Sequence, residues 1–491
     1  MRDFPAGGKL RVCSTLALNP VSEGERTIVT QERNIVPLAA ALVMAMVFLF
    51  LPQVLNDGDT YWHMATGEWI LAHGRVPDHD VFSYTQAGRP WVAHEWLSET
   101  LMALAARLAG WAGVTALFAI AVGGAAWMLV RRLSLQLGGL TLITTTVLAL
   151  ACMSGSLLAR PHLFMLPMLI AWTIEMLTAR DEHRAPRLRF ALLMILWANL
   201  HGSWVFGLVV AGAFGLEALA EPNADKLKVL RGWGLFGLAS LVCAAITPHG
   251  PAALLFPFQV TSMAVLPHIT EWRAEDFSHL SPFAMALLAT LFVCLGRGVK
   301  VPTFRLLLLL VLLLMSLQHI RHQLVLAAVA PLLLAGPLAE ALGHEPAEPK
   351  PSRTLLAGFG VACVLLLGVR LAWPLQRVDG LNSPVTALDS VPAELRSQPV
   401  LNGYGLGGYL IYKGVKPFID GRADMYGDAF SARYFTAVEP DSVALRKLLA
   451  DYRVAWTIFT PDDPVVALLD KDPAWRRIHA DPYAVVHRRV N

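Results

Sequence analysis

Apolar runs that suit membrane-spanning helices recur along the first three quarters of the chain, separated by short polar segments. A bilayer core requires roughly 20 apolar residues per helix. About eleven runs approach this length, and we predict them as spans: 35–52, 111–130, 137–157, 161–178, 187–200, 203–220, 231–247, 282–296, 302–317, 323–338 and 354–373. The stretch 187–220 is predicted to turn at 199–202 as a hairpin. The pattern therefore predicts an α-helical multi-pass membrane domain over residues 35–374.

The polar segment after the first run, predicted as a first outer loop over 53–110, contains two further helical patterns. Residues 60–72 place Trp62 among polar side chains, which is typical of a helix lying in the membrane interface. Residues 97–109 carry leucines at helical spacing. Both stretches are predicted to be amphipathic helices.

The last quarter of the chain has shorter apolar runs and more prolines. Alternating or β-branched stretches predict strands at 409–412, 417–419, 454–460 and 483–486. The glycines of 403–408 are expected to form turns and a bulge. We predict a small α/β domain over residues 375–491.

Composition and basic charge settle the class and the orientation. The chain is 55% hydrophobic and 16% charged, whereas a soluble domain carries about 25% charged residues. Its five cysteines form no C-x-x-C pair, which argues against a thiolate metal site or a disulfide framework. Lys and Arg concentrate in the tail 1–34 and in every second loop, as cytoplasmic segments do. This predicts a cytoplasmic N-terminus, an uncleaved first span, and an extracytoplasmic C-terminal domain.

Asp57 and Asp59 flank Gly58 directly after the first span. Ionisable groups beside a bilayer are costly, and their presence indicates function. Either carboxylate is a candidate catalytic base for an incoming hydroxyl, or a ligand of a divalent cation, Mg²⁺ or Mn²⁺, that bridges to phosphate. The alternative is that they cap the following helix.

Further polar residues cluster at the predicted outer ends of spans. Arginine matches phosphate oxygens bidentately, histidine donates beside it, and tryptophan stacks on sugar rings. We therefore predict a substrate-binding set of Arg160, His162, His201, His319, Arg321, His322, Trp62 and Trp272. Glu95 is a secondary acid–base candidate. The alternatives are arginines that snorkel to the interface and structural histidines. Asp420, Arg422 and Asp424 are expected to form an internal ion pair that fixes the outer domain.

An Asp-x-Asp motif in the first outer loop of a many-span protein with a C-terminal outer domain resembles the GT-C membrane glycosyltransferases. The stretch 197–203, Trp-Ala-Asn-Leu-His-Gly-Ser, is similar to a segment of bacterial members. The resemblance implies a bacterial plasma-membrane enzyme with a polyprenyl-phosphate-linked sugar donor. It implies an acceptor on the outer face (a glycan, lipid or protein) and Asp57 and Asp59 as base or metal ligands. The chain lacks the Trp-Trp-Asp motif of oligosaccharyltransferases, which argues against sequon-directed protein glycosylation.

Our leading hypothesis is therefore an inverting transfer of a sugar from a membrane lipid, with no nucleic-acid partner. Two alternatives stay open at this point. A transporter or lipid flippase is expected to show mid-membrane charges and two similar halves, and the sequence shows few such charges and no such symmetry. A non-catalytic assembly protein would use the outer domain to bind a partner.

Overall fold

The membrane domain is a bundle of helices. The long segment 51–95 and the C-terminal domain lie at one end of this bundle, which is here called the loop face. The computed structural model describes residues 23–373, 375–439 and 441–490, so the start of the predicted tail, with Cys13, lies outside the described residues. The helices of this part are α1 (Glu23–Phe50), α2 (Asp59–His73), α3 (Trp96–Leu133), α4 (Gly139–Met153), α5 (Met165–Asp181), α6 (Leu193–Leu200), α7 (Trp204–Ala220), α8 (Lys226–Ala244), α9 (Ala252–Thr261), α10 (Pro282–Gly296), α11 (Thr303–Gln318), α12 (Gln323–Leu342) and α13 (Arg353–Ala372).

The protein is a multi-pass membrane protein, as the hydropathy pattern predicts. Within the described residues, seven helices are long and apolar enough to cross a membrane, and five apolar helices are shorter. Each predicted span coincides with a helix, whereas α9 was not predicted. The stretch 187–220 breaks as expected, because His201 is fully extended between α6 and α7.

Helix α3 joins a predicted loop helix to a predicted span. Its course bends at Ala109 and Gly110, and Gly110 has φ +56° and ψ −144°, a conformation that favours glycine. The amphipathic stretch 97–109 is therefore the first part of a 38-residue helix. This places Glu95 and Glu99 at the loop face, at the start of α3.

The C-terminal domain combines short helices with a four-stranded sheet of order β1-β2-β4-β3, in which β1 and β2 are parallel and the other pairs antiparallel. Its elements are α14 (Val385–Asp389), α15 (Ala393–Arg396), β1 (Val400–Asn402), α16 (Gly407–Tyr412), α17 (Ala423–Val438), α18 (Ser442–Asp451), β2 (Trp456–Phe459), α19 (Pro464–Lys471), β3 (Trp475–Ala480) and β4 (Val485–Arg489). Two strands, β2 and β4, fall at predicted positions, and β1 and β3 were not predicted.

Two of the predicted strands are absent from the described sheet. Residues 409–412 are the end of helix α16, and 417–419 are extended but unpaired with any strand. The Phe418 N–H donates to the Asn402 side-chain Oδ1 at 2.8 Å, so a side chain satisfies the donor that a strand would pair. The glycines of 403–408 lead into α16, where a turn and bulge were expected.

Helix α2 is covered by protein on two sides, although the sequence predicts it to lie in the membrane interface. It packs between α3 and α16, with Tyr61, Trp62 and His63 buried. A Cβ on Gly67 would overlap the Glu99 carbonyl oxygen, which shows how closely α2 and α3 approach. The first loop and the C-terminal domain thus share one core.

A buried ion cluster joins the same two segments. The guanidinium of Arg422 is fully buried and donates to Asp80 at 2.8 Å and to both oxygens of Asp420 at 2.7 and 2.8 Å. Tyr426 donates to Asp420 at 2.7 Å. The expected ion pair of Asp420 and Arg422 forms and recruits Asp80 of the first loop, whereas Asp424 bonds the Trp91 side chain.

Candidate active site

Arg160 lies among three carboxylates at the loop face. Its Nε donates to Asp57 Oδ2 at 2.6 Å, and Nη2 donates to Asp57 Oδ1. Nη1 lies 2.7 Å from Glu271 Oε2 and 3.2 Å from Asp59 Oδ2. Both predicted aspartates and one predicted arginine therefore form a single cluster, completed by Glu271 from a later loop.

Backbone contacts hold Asp57 and Arg160 together. Ala159 donates its N–H to the Val54 carbonyl at 2.7 Å, and its own carbonyl accepts the Thr60 hydroxyl at 3.1 Å. The same hydroxyl and the Thr60 N–H lie 3.0 Å from Asp57 Oδ2. Asp57 therefore accepts one N–H of the first turn of α2, although Gly58 occupies the N-cap position, and it also binds Arg160.

The environments of Asp57 and Asp59 push their pKa values apart. Burial opposes ionisation of Asp57, but the charge and hydrogen bonds of Arg160 outweigh it and lower the pKa of this carboxyl. Burial raises the pKa of Asp59 to about 6, with further increases from the charges of Asp57 and Glu271. Two neighbouring carboxylates with different pKa values suit different roles, and Asp59 is the one poised to exchange a proton near neutral pH.

Glycines of the C-terminal domain lie in close contact with the segment 57–59. A Cβ on Gly408 would overlap the Gly58 carbonyl oxygen, and a Cβ on Gly421 would overlap Asp59 Oδ1. The Tyr404 hydroxyl donates to the Gly421 carbonyl at 3.3 Å. The glycine-rich stretch thus allows two backbones to approach, and the C-terminal domain forms one wall beside Asp59.

Arg321 extends the cluster toward two histidines. Its Nη1 lies 3.4 Å from Glu271 Oε1, and its guanidinium covers the Trp272 ring at 4.3 Å. His319 Nδ1 bonds the Trp272 carbonyl at 2.7 Å, and His322 packs edge-on against His319 at 5.4 Å. Glu271 consequently bridges the two arginines that the sequence selects as phosphate ligands.

Glu95 lies at the centre of a second group of histidines. Its oxygens are 3.3 Å from His201 Nε2, 3.6 Å from His94 Nε2 and 3.7 Å from His63 Nε2. Burial raises the pKa of Glu95 to about 8 and lowers the pKa of all three histidines. The group is therefore a set of closely packed, largely neutral polar side chains at neutral pH.

The predicted site residues form one continuous region. Trp62 donates its indole N–H to Asp59 at 3.0 Å, and its ring contacts the tilted His63 ring at 3.6 Å between centres, which connects the Arg160 cluster to Glu95. His162 is 6.4 Å from His201, ring centre to ring centre, and bonds the Ser156 carbonyl at 2.8 Å. Residues scattered over 260 positions of sequence thus meet at the loop face.

Trp62 and Trp272 occupy positions that differ from open sugar-stacking platforms. Each is only 7% exposed. The Trp62 ring contacts the His63 ring at an interplanar angle of 36°, and the Arg321 guanidinium lies over the Trp272 ring. In this arrangement both rings orient charged neighbours.

The carboxylates do not present a ready divalent-cation site. Both Asp57 oxygens already accept hydrogen bonds from Arg160, whose guanidinium fills the space among the three carboxylates. In the part of the chain described above, no group of three or more His, Cys, Asp or Glu side chains has an arrangement that could hold a metal ion. The predicted Mg²⁺ or Mn²⁺ role of Asp57 and Asp59 does not fit these side-chain positions.

The structure places two further acidic residues in this region that are not among the predicted site residues. Glu271 bonds both arginines, and Glu99 bonds His63 Nδ1 at 3.1 Å. Glu271 immediately precedes the selected Trp272, and Glu99 follows Glu95 by one helical turn. These spacings were the available signals.

Comparison with known proteins identifies the architecture. No protein-family model matches the chain, and neither does any curated protein sequence. Among solved structures, the chain is similar to the oligosaccharyltransferase AglB of Archaeoglobus fulgidus in complex with an inhibitory peptide and a dolichol-phosphate, with TM-score 0.52, 11% identity, and coverage of 88% of this chain and 69% of that one. The oligosaccharyltransferase of the same organism in its apo form gives 0.51 and 13% identity, with coverage of 87% and 69%. The chain has the GT-C fold.

The GT-C fold extends beyond the membrane helices, because an alignment over 88% of the chain must include part of the C-terminal domain. ArnT of Cupriavidus metallidurans, bound to undecaprenyl phosphate, is also similar at TM-score 0.49 and 14% identity, with coverage of 93% of this chain and 98% of that one. Because these identities are low, what this protein does has to be argued from its own side chains.

Proposed function

We propose that the protein is a membrane glycosyltransferase that moves a sugar from a polyprenyl-phosphate-linked donor to an acceptor at the outer face of the membrane. The observation that carries this proposal is the meeting of Asp59, a carboxyl with a raised pKa, with Arg160 and Arg321 beside the ends of membrane helices. The solved archaeal oligosaccharyltransferase with a dolichol-phosphate supports a lipid-linked donor for this fold.

The positive-inside pattern supports the proposed orientation. The end of the bundle opposite the loop face carries the arginines Arg132, Arg180 and Arg305, paired with acidic side chains. Cytoplasmic segments are enriched in such residues. The N-terminus is accordingly assigned to the cytoplasm, and the loop face to the outside of a bacterial plasma membrane.

Asp59 is assigned as the general base. An acceptor hydroxyl attacks the anomeric carbon of the donor, its proton passes to the Asp59 carboxylate, and the bond from that carbon to the phosphate oxygen breaks with the electron pair leaving on phosphate. A direct displacement of this kind inverts the anomeric configuration. Asp57 stays ionised and holds Arg160, while Trp62 orients Asp59 through its indole N–H.

Arg321 is assigned as the main contact to the donor phosphate. Arg160 already directs Nε, Nη1 and Nη2 to carboxylates, whereas Arg321 has one looser contact at 3.4 Å to Glu271. Its side chain is 29% exposed, and its guanidinium carbon lies 4.3 Å from the centre of the Trp272 ring, a cation–π contact that helps to hold the group in place. A planar fork held in this way suits phosphate oxygens.

The C-terminal domain is assigned to the acceptor side. Gly421 and Tyr404 stand beside Asp59, so a hydroxyl that reaches the base must approach along this domain. The acceptor is therefore expected to contact the segment 403–424.

Replacing Arg321 with Gln is expected to weaken binding of undecaprenyl phosphate about 10- to 100-fold. A hydrogen bond to a charged group contributes about 1.5–3 kcal/mol, and about 1.4 kcal/mol is a tenfold change in affinity. Titration of the lipid into protein in nanodiscs measures the dissociation constant. Arg107→Gln is the matched control, because Arg107 lies at the same face in an exposed pair with Glu68.

The same preparation decides between the candidate functions. Incubation with polyprenyl-phosphate-linked hexoses and pentoses should release polyprenyl phosphate when a suitable acceptor is present. Movement of the intact donor between leaflets without cleavage would favour a flippase. Equal lipid affinity in the Arg321 and Arg107 variants would refute the assignment of the phosphate contact.

The rate of transfer is expected to rise with pH around pH 6. Asp59 accepts a proton only when it is ionised, and its raised pKa of about 6 places the acidic limb of the profile there. The charge of Glu271 raises this pKa, so Glu271→Gln should move the limb to lower pH. Initial rates between pH 4.5 and 8 measure the acidic limb for the unaltered protein and for Glu271→Gln. Coincident profiles of the two proteins would contradict the role of Asp59.

A further inference from the structure

Three carboxylates from separate segments surround one point at the loop face. Asp57 precedes α2, Asp59 begins this helix, and Glu271 comes from the loop before α10, yet all three lie within 3.2 Å of Arg160 nitrogens. Carboxylate oxygens converging in this way are the ligands that Mg²⁺, Mn²⁺ and Ca²⁺ prefer. Here the converging oxygens face a guanidinium.

The guanidinium is built into this position. Arg160 lies between two short 3₁₀ turns, and Pro161 starts the second. Its backbone neighbour Ala159 is bonded to Val54 and Thr60. Only 18% of the Arg160 side chain is exposed, and its three nitrogens each have a carboxylate partner. A cation could reach the same oxygens only by displacing this side chain.

We propose that Arg160 takes the place of a divalent cation, so that the chain organises its acidic site and binds its lipid phosphate without a bound metal. A tethered guanidinium supplies one positive charge, where a divalent cation would supply two. The second positive charge at the site is Arg321, which contacts the same Glu271. The two arginines together match the charge of one divalent ion, and the lipid-binding part of this inference rests on the proposed function.

The substitution Arg160→Ala is expected to create a metal site. Removing the side chain leaves Asp57, Asp59 and Glu271 around an open space, with Arg321 beside Glu271 as the neighbouring positive charge. We expect the variant to bind one Mn²⁺ per chain at concentrations where the unaltered protein binds none. Electron paramagnetic resonance of Mn²⁺ with full-length protein in detergent measures free and bound metal directly.

Two further variants test where the metal binds. Arg160→Ala with Asp57→Asn should lose the new Mn²⁺ site, because one carboxylate is gone. Arg321→Ala removes the neighbouring arginine but leaves Arg160 in place, and it should not bind Mn²⁺. Arg160→Gln, which keeps an amide in the space, provides a second test if the alanine variant folds poorly. Mn²⁺ should raise the melting temperatures of the single variants Arg160→Ala and Arg160→Gln and leave those of the double variant and the unaltered protein unchanged.

The unaltered protein, by contrast, is expected to be insensitive to metal. Its affinity for undecaprenyl phosphate should be the same in EDTA and in millimolar Mg²⁺ or Mn²⁺. Binding of Mn²⁺ to the unaltered protein that is lost in Asp57→Asn would overturn the proposal, as would folded single variants Arg160→Ala and Arg160→Gln that both bind no Mn²⁺. These metal measurements need no sugar transfer, so their outcome stands apart from the test of the glycosyltransferase assignment.

Discussion

Asp59→Asn is expected to reduce sugar transfer at least about 100-fold, because a positioned general base contributes roughly 10²–10⁴ to a rate. Asparagine has the size of aspartate and can still accept the indole N–H of Trp62, which lies 3.0 Å away. It cannot accept the proton of an attacking hydroxyl. Single-turnover release of polyprenyl phosphate from a labelled donor measures the effect, while lipid affinity should change little.

The neighbouring aspartates provide the comparison. Asp78→Asn alters an exposed residue of the same loop and should leave transfer unchanged. Asp57→Asn should also lower transfer, but through Arg160, whose two bonds to Asp57 it weakens, so it should lower lipid affinity as well. Transfer by Asp59→Asn at the rate of Asp78→Asn would assign the base elsewhere, with Glu95 the next candidate.

The membrane helices were predictable because hydropathy is a local property. Each predicted span coincides with a helix, and the break at His201 follows from the basic residues that require a hairpin. The C-terminal domain was harder, because tertiary contacts override local preference there. Tyr409 and Ile411 alternate as a strand would, yet α16 forms because Gly407 and Gly408 let it pack against Asp420 and Gly58.

The sequence indicates which residues belong to the candidate site, but not which of them form ion pairs with one another. Few ionisable residues lie next to apolar runs, so Asp57, Asp59, Arg160 and Arg321 stand out in the sequence. Their ion pairs with one another and with Glu271 join positions 50 to 111 residues apart, and no local pattern records them. The sequence therefore suggested Asp57 as a free base or metal ligand, whereas the structure gives both of its oxygens to Arg160.

The environment of Trp62 is likewise set by distant contacts, although its place in the sequence suggests an exposed ring. Its burial depends on the C-terminal domain, which begins more than 300 residues later and covers α2. The notion of an interfacial helix was reasonable for an amphipathic stretch beside a span. What decided its environment was the long-range attachment of the C-terminal domain, and that attachment centres on Arg422.

Arg422→Leu is expected to detach or unfold the C-terminal domain, at a cost of about 3–5 kcal/mol, because it leaves buried carboxylates without their partner. The guanidinium bonds Asp80 of the first loop and Asp420 of the domain, all with fully buried side chains. It also lies between the rings of Phe82 and Trp91, at 5.2 and 4.8 Å, so the substitution removes cation–π contacts too. Limited proteolysis and thermal unfolding of the purified protein measure the loss.

Further variants distinguish the effect of leaving buried carboxylates unpaired from the effect of losing a side-chain contact. Arg433→Leu breaks an exposed pair with Asp451 on the same domain and should change stability far less. Adding Asp80→Asn and Asp420→Asn to Arg422→Leu should recover part of the stability, because no buried charge then remains unpaired. Equal protease resistance of the Arg422 and Arg433 variants would mean that the buried cluster does not hold the domain in place. In that case Asp59 would owe its position beside Gly421 to the glycine contacts of α16 alone.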